Sequence, residues 1–142
     1  MEKNLKNMRE DLINYLYQKD LLSLEDLEIE DLETYEAFND INNKLNEIDD
    51  IISANLFNYS IDRLSYIDRA IIRLATYELK FSDVAPAVII NEAIKLTKKY
   101  SDLDDEKQHK FNNKVIDNIN KSLRGWFFAK SNFDSKSINL YN

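Results

Sequence analysis

Apolar residues recur at helical spacing along most of the chain, and the clearest of these patterns follows Ser65. Ser65 and Asp68 have the spacing of a capping box, with Asp in place of the usual Glu. The apolar positions after this cap repeat every three or four residues, as on one face of a helix. They are Ile67, Ile71, Leu74, Ala75 and Leu79. The pattern predicts a central, largely buried helix, with Arg69, Arg73 and Lys80 on its other sides. Arg73, inside this apolar helix, is expected to bond to a carboxylate or a helix end.

Two further helices are predicted on the C-terminal side. Pro86, the single proline, suits the first turn of a helix, where its missing N–H costs nothing. The apolar positions of that helix are Ile89, Ile90, Ala93, Ile94 and Leu96. After a polar link over 101–106, the last helix has a narrower apolar stripe. It comprises Phe111, Val115, Ile116, Ile119 and Leu123. Gly125 is expected to stop this helix.

Apolar spacing in the N-terminal half predicts three more helices, over 3–22, 33–45 and 47–57. A connector joins the first of them to the second. The first helix is expected to face inward through Leu5, Met8, Leu12, Tyr15 and Leu16. The second is expected to bury Tyr35, Phe38, Ile41 and Leu45, and the third Ile48, Ile51, Ile52 and Phe57. Gly and Pro occur once each, which disfavours hairpins and tight turns. The sequence therefore predicts an all-α fold.

Composition narrows the class of protein. A chain of 142 residues suits one domain, and without cysteine it has neither disulfides nor thiolate metal sites. No apolar run approaches the ~20 residues that span a bilayer, and the N-terminus lacks the apolar segment of a signal peptide. We expect a soluble cytoplasmic protein with no membrane association.

Charge is unevenly distributed. The formal net charge is −7, which by itself disfavours nucleic acid as a partner. Residues 24–50, however, hold eleven acidic residues and one basic residue, so the remainder of the chain carries a net charge of +3. A basic face outside the acidic segment is therefore compatible with the composition.

Catalytic and metal-binding patterns find little support. One glycine excludes glycine-rich phosphate loops, and His109 is the only histidine. A Ser–His pair is not formally excluded, but no nucleophile motif accompanies it. The acidic residues lack calcium-loop spacing and read as a solvated face. We expect no enzyme activity, no cofactor and no metal site.

The last helix carries a basic stripe. Lys107, Lys110, Lys114 and Lys121 fall within about 60° of one another on a helical projection, and Phe111 borders them. Lysines neutralise phosphates and an aromatic ring can stack on an unpaired base, so the stripe suits single-stranded RNA. An ordinary solvated helix face, with Phe111 in the core, is the alternative.

Four segments in order resemble the NusB family of bacterial transcription antitermination factors. They are 57–64 (FNYSIDRL), 68–79 (DRAIIRLATYEL), 90–96 (INEAIKL) and 110–117 (KFNNKVID), with Arg9-Glu10 and 16–18 (LYQ) in the first helix. The resemblance implies a compact fold of two small helical bundles, about 3–59 and 60–123, with six to seven helices in one domain (1–123). Residues 124–142 form an aromatic, then polar, tail. Its aromatic residues either pack back onto the domain or bind a partner.

The resemblance also implies RNA-binding residues. In such proteins an arginine-rich run at the start of the first helix takes part in RNA binding, and here Lys3, Lys6 and Arg9 stand in its place. The Lys-Phe motif belongs to the family's RNA-contacting region, which points to Lys107, Lys110, Phe111 and Lys114. The family usually has Gly where this chain has Lys114. The basic cluster of the first helix is thinner than in the family, and an ordinary solvated helix end is the alternative.

The partners implied are a boxA-like single-stranded leader RNA, the ribosomal protein NusE and the antitermination complex on RNA polymerase, chiefly on ribosomal RNA operons. Tyr17 and Asp68 match family positions that dock NusE; packing and helix capping are their alternatives. Two other functions remain open: an interaction module of the same fold with lost RNA binding, and a relative of the helical domain of ribosomal RNA cytosine methyltransferases. The second of these is disfavoured, because the chain has no room for a methyl-donor domain. A homodimer is left open.

Overall fold

The computed structural model describes residues 4–101 and 106–141, with side chains as far as Gly125. Within these ranges all regular structure is helical, which confirms the all-α prediction. The helices are α1 (Leu5–Leu22), α2 (Leu32–Asn43), α3 (Leu45–Ala54), α4 (Tyr66–Phe81), α5 (Pro86–Tyr100) and α6 (Lys107–Tyr141), with one 3₁₀ turn at Ile61–Arg63.

Short polar side chains fix where several helices begin. Asn4 accepts a hydrogen bond from the Asn7 amide at 2.9 Å at the start of α1. Asp31 does the same for Thr34 at 2.9 Å at the start of α2. Such caps are each worth about 1 kcal/mol because they satisfy amides that have no partner in the first turn. Pro86 occupies the first turn of α5, as its position in the sequence predicts.

Helix α4 is the centre of the fold, because it packs against α1, α3, α5 and α6. It is buried on most of its circumference rather than along one stripe. Ile71, Leu74 and Ala75 are buried as predicted, Ile72 is completely buried as well, and Ile67 and Leu79 are only partly buried. Isoleucines from five helices complete the core around it. They are Ile13, Ile41, Ile48, Ile52, Ile89, Ile116 and Ile119.

Three residues expected in the core are exposed. Leu5 is 43% exposed in the first turn of α1, and Ile13, which was not expected inside, is buried instead. Tyr35 is 45% exposed because α2 buries Thr34, Phe38 and Ile41, one position away around the helix. Phe57 is 73% exposed. Helix α3 ends at Ala54, so the helical spacing that predicted burial no longer applies at residue 57.

Gly125 does not end the last helix, contrary to expectation. Helix α6 continues through it to Tyr141, and Gly125 has no positive φ. A glycine inside a helix costs only about 1 kcal/mol, which neighbouring helical residues can offset. The side chains of the aromatic tail lie outside the described residues.

Partly buried ion pairs join α1 and α3 to α4. Arg73 donates to both carboxylate oxygens of Asp49, at 2.9 and 2.8 Å, and lies 3.4 Å from Asp20. Arg69 donates to the same Asp20 oxygen at 2.6 Å. This confirms the prediction that Arg73 bonds to a carboxylate.

The division of the fold into two bundles at residues 59 and 60 stays a prediction. In the described part of the chain, no helix is long and apolar enough to cross a membrane.

Candidate functional site

Three chain segments meet at one end of the molecule. Near the start of α1, Glu10 accepts hydrogen bonds from Lys99 at 2.7 Å and Tyr100 at 3.2 Å, both in the last turn of α5. Asn112 of α6 donates to Thr97 of α5 at 3.1 Å, which places the start of α6 beside the same turn. Segments about 100 residues apart in the sequence therefore form one surface, called here the basic end.

The basic end carries lysines from all three helices, and its charges are accessible. Lys6, Lys107 and Lys110 were predicted from the sequence, whereas Lys95, Lys98 and Lys99 of α5 were not among the predicted site residues. The hydrogen bond from Lys99, with the charge of nearby Lys6, lowers the pKa of Glu10. That carboxylate therefore stays ionised and offsets part of the positive charge.

The lysine is exposed in each ion pair at the basic end. Lys110 lies 3.4 Å from Glu106, and Lys95 lies 3.6 Å from Glu92. Exposed pairs of this kind contribute at most about 1 kcal/mol, so a phosphate can replace the carboxylate at little cost. Across the described residues, Lys98 makes no ion pair at all.

Arg9 is not part of this surface. It was expected to be exposed for RNA, but only 5% of it is accessible. Its Nε donates to Glu78 Oε1 at 2.9 Å and Oε2 at 3.1 Å, joining α1 to α4. Burial raises the pKa of Glu78, and the hydrogen bond from Arg9 opposes that rise. The basic cluster on α1 is thus reduced to Lys6 among the described residues, since Lys3 lies outside them.

The expected aromatic member, Phe111, lies one turn along α6. It is half-buried and packs on Tyr59, with ring centroids 5.4 Å apart at an angle of 56°. Lys114 is exposed one turn further on and, among the described residues, has no ion-pair partner. Phe111 therefore belongs both to the edge of the core and to the edge of the lysine stripe.

Asp68 is a structural residue. Only 3% of it is exposed, which contradicts its expected place on a docking surface. Ser65 Oγ accepts from the Asp68 amide at 3.1 Å and donates to Oδ2 at 2.6 Å, while Asn112 donates to Oδ1 at 3.0 Å. The capping interpretation is therefore confirmed. Tyr17 is half-buried against the core and keeps part of its surface accessible.

Phe57 and Tyr59 were missed as site residues. They lie within the 57–64 motif, but helical periodicity had assigned Phe57 to the core. Together with Phe111 and Lys114 they line a cleft between the α3–α4 connection and α6. The signal available in the sequence was the motif, which contains an aromatic residue on each side of Asn58.

Comparisons with known proteins agree on one family. The model of the NusB family matches residues 2–121. The transcription antitermination protein NusB of Clostridium botulinum (strain Alaska E43 / Type E3) is 40% identical over 124 residues, covering 85% of this chain and 87% of that relative. The protein of the same description from Bacillus velezensis is 45% identical over 78 residues, covering 54% of this chain and 58% of the relative.

Solved structures give the same result. NusB from T. maritima superposes with a TM-score of 0.73 at 35% identity, covering 85% of this chain and 93% of that chain. A chain from the structure described as "Crystal Structure of a Plectonemic RNA Supercoil" has a TM-score of 0.70 at 32% identity, covering 82% and 94%. A family match over most of the chain, with relatives of the same fold, shows that this protein belongs to the NusB family of transcription antitermination proteins.

Proposed function

We propose that this protein binds a boxA-like single-stranded RNA together with the ribosomal protein NusE, and that the complex promotes antitermination by RNA polymerase on ribosomal RNA operons. The observation that carries the RNA part is the basic end, where Lys6, Lys107 and Lys110 are exposed on helices that both pack against the last turns of α5. A structural neighbour from an RNA crystal supports the same class of ligand. RNA is bound there chiefly through its phosphates.

The acidic segment supports a basic protein partner. Its exposed carboxylates lie on the α1–α2 connector and on α2, in the N-terminal half of the chain. They include Glu25, Asp26, Glu28, Glu30, Glu33 and Glu36. Complementary charge steers association and disfavours wrong partners. Tyr17 remains the candidate contact residue for NusE, whereas buried Asp68 acts on this surface only by holding α4.

RNA affinity of the protein alone is expected to be weak. Among residues 4–101, only Lys6 remains of the basic cluster on α1, because Arg9 is paired with Glu78. NusE is expected to strengthen binding, and affinity should fall as salt rises because phosphate contacts release counterions. Titration of a boxA-type RNA with and without NusE at several salt concentrations measures both effects.

The double variant Lys110→Glu/Lys114→Glu tests the site directly. Both residues are exposed, so stability should change little, while RNA affinity drops and its salt dependence becomes shallower. The matched control is Lys80→Glu/Arg124→Glu, the same charge change at two positions outside the lysine stripe. Equal loss in both variants would indicate a general charge effect instead of a site.

The second candidate function is an interaction module without RNA binding. The burial of Arg9 favours it, because it removes a cation from the expected RNA surface. This alternative is correct if wild-type RNA binding is negligible with NusE present while NusE binding is intact. NusE binding by both double variants should equal that of the wild type in either case.

A further inference from the structure

We propose that the cleft between the α3–α4 connection and α6 receives one unpaired nucleobase of the bound RNA; this rests on the proposed function. The cleft has an empty volume of about 450 Å³, and its lining includes Phe57, Tyr59, Phe111, Lys114 and Asn118. It lies one to two turns along α6 from the basic end. An RNA strand held there by its phosphates can therefore continue past the cleft.

The inner wall of the cleft is a fixed pair of aromatic rings. Tyr59 packs on Phe111, and its hydroxyl donates to the Arg63 carbonyl at 3.0 Å. The Arg63 guanidinium lies 4.8 Å from the centre of the Tyr59 ring. These contacts hold the Tyr59 ring from more than one side, so the wall is formed before any ligand binds. A preformed wall lowers the entropic cost of binding.

Phe57 provides the outer aromatic surface. It is 73% exposed, so the core does not require its ring. The next residue, Asn58, has φ 57°, a left-handed conformation that asparagine tolerates better than most residues. Such a free ring next to a cleft can stack on a base whatever its identity, because every base has a π-face.

The polar groups of the cleft match RNA rather than a peptide or a lipid. Lys114 can meet a phosphate, and the Asn118 amide can both donate to and accept from a base edge. Neither side chain has a hydrogen-bond or ion-pair partner within the described residues. The lining residues include no carboxylate, although the chain has a net charge of −7.

The test measures affinity for a boxA-type RNA in the presence of NusE, with each nucleotide replaced in turn by an abasic one. Phe57→Ala is expected to weaken binding about 5- to 100-fold, the range for losing one base–aromatic stack. Phe57→Trp should bind with about wild-type affinity, whereas Phe57→Leu should bind as weakly as Phe57→Ala, because only an aromatic ring can stack on a base. Phe81→Ala is the matched control, an exposed phenylalanine at the end of α4 and outside both proposed binding surfaces, and should bind as the wild type does.

A double-mutant cycle locates the base. One abasic position should weaken wild-type binding more than it weakens binding by Phe57→Ala, since both changes remove the stack on Phe57. If Phe57→Ala binds as tightly as the wild type, or if its effect adds fully to every abasic substitution, the cleft holds no base. Absence of RNA binding by the wild type with NusE present would overturn the proposed function as well, which separates the two failures.

Discussion

Replacing Arg9 by methionine is expected to destabilise the fold, since its guanidinium neutralises a buried carboxylate. The side chains of Arg9 and Glu78 are only 6% and 8% exposed. Removing one partner of such a pair costs about 3–5 kcal/mol, because the other charge stays buried without compensation. A domain has about 5–15 kcal/mol of stability in all, so much of it would be lost.

Urea unfolding followed by circular dichroism measures this loss. In a thermal melt of a chain of this size, each kcal/mol of lost stability lowers the melting temperature by about 2–4 °C. The melting temperature of Arg9→Met should therefore fall by roughly 6–20 °C. The control is Arg9→Met/Glu78→Leu, which removes both charges. Apolar replacement of a buried pair is often neutral or stabilising by about 1–4 kcal/mol, so the double variant should recover most of the loss.

The deficit of Arg9→Met should also depend on pH. Burial raises the pKa of Glu78 in the folded state, and losing the opposing hydrogen bond from Arg9 raises it further. The folded state then binds more protons than the unfolded state above about pH 4.3, the ordinary value of a glutamate. Stability therefore falls as pH rises through the window between that value and the raised pKa. The deficit should be smallest near pH 4 and reach its full size once the pH exceeds the raised pKa of Glu78.

Two results would refute this reasoning. One is a single variant as stable as the wild type at neutral pH, which would mean that Glu78 is not buried with its charge. The other is a double variant no more stable than the single one, since the deficit would then come from lost packing and not from the charge. If Arg9→Met is as stable as the wild type but binds RNA more weakly, Arg9 belongs to the RNA-binding surface after all.

Three further substitutions probe the fold. Ile71→Asp should abolish the cooperative thermal transition, because a buried unpaired carboxylate costs several kcal/mol; a melt at the wild-type temperature would refute its place in the core. Asp68→Ala should lose about 2–4 kcal/mol in urea unfolding, because the Ser65 hydroxyl and the Asn112 amide both lose their acceptor on the Asp68 carboxylate; a change below 0.5 kcal/mol, about the effect of a surface substitution, would contradict the buried network. Gly125→Ala should raise helicity and stability by about 0.5–1 kcal/mol, since a Cβ there meets no atom within 4 Å; lower helicity by circular dichroism would argue against a continuous α6.

Most of the helical architecture followed from local rules in the sequence. The capping box at Ser65, the position of Pro86 and the recurrence of isoleucines were sufficient to place α4 and α5 close to their observed bounds. Local rules failed where a helix ended earlier or later than its pattern. Phe57 lies beyond α3 and is exposed, whereas α6 continues through Gly125. In both cases the helix terminus depends on a small balance of free energies that apolar spacing does not report.

Local sequence patterns were enough to predict a set of amphipathic helices, the capping role open to Asp68 and the motifs of the family. Which cations are accessible depends on how the helices pack. Arg9 and Lys6 are three residues apart on α1, yet Arg9 faces Glu78, 69 residues away, while Lys6 faces solvent beside α5. Periodicity distinguishes apolar from polar positions, but whether an arginine is buried depends on a carboxylate supplied by another helix. The meeting of Lys6, Lys99 and Lys107 at one end is likewise a consequence of how α1, α5 and α6 pack, because no local interaction links segments so far apart in the chain.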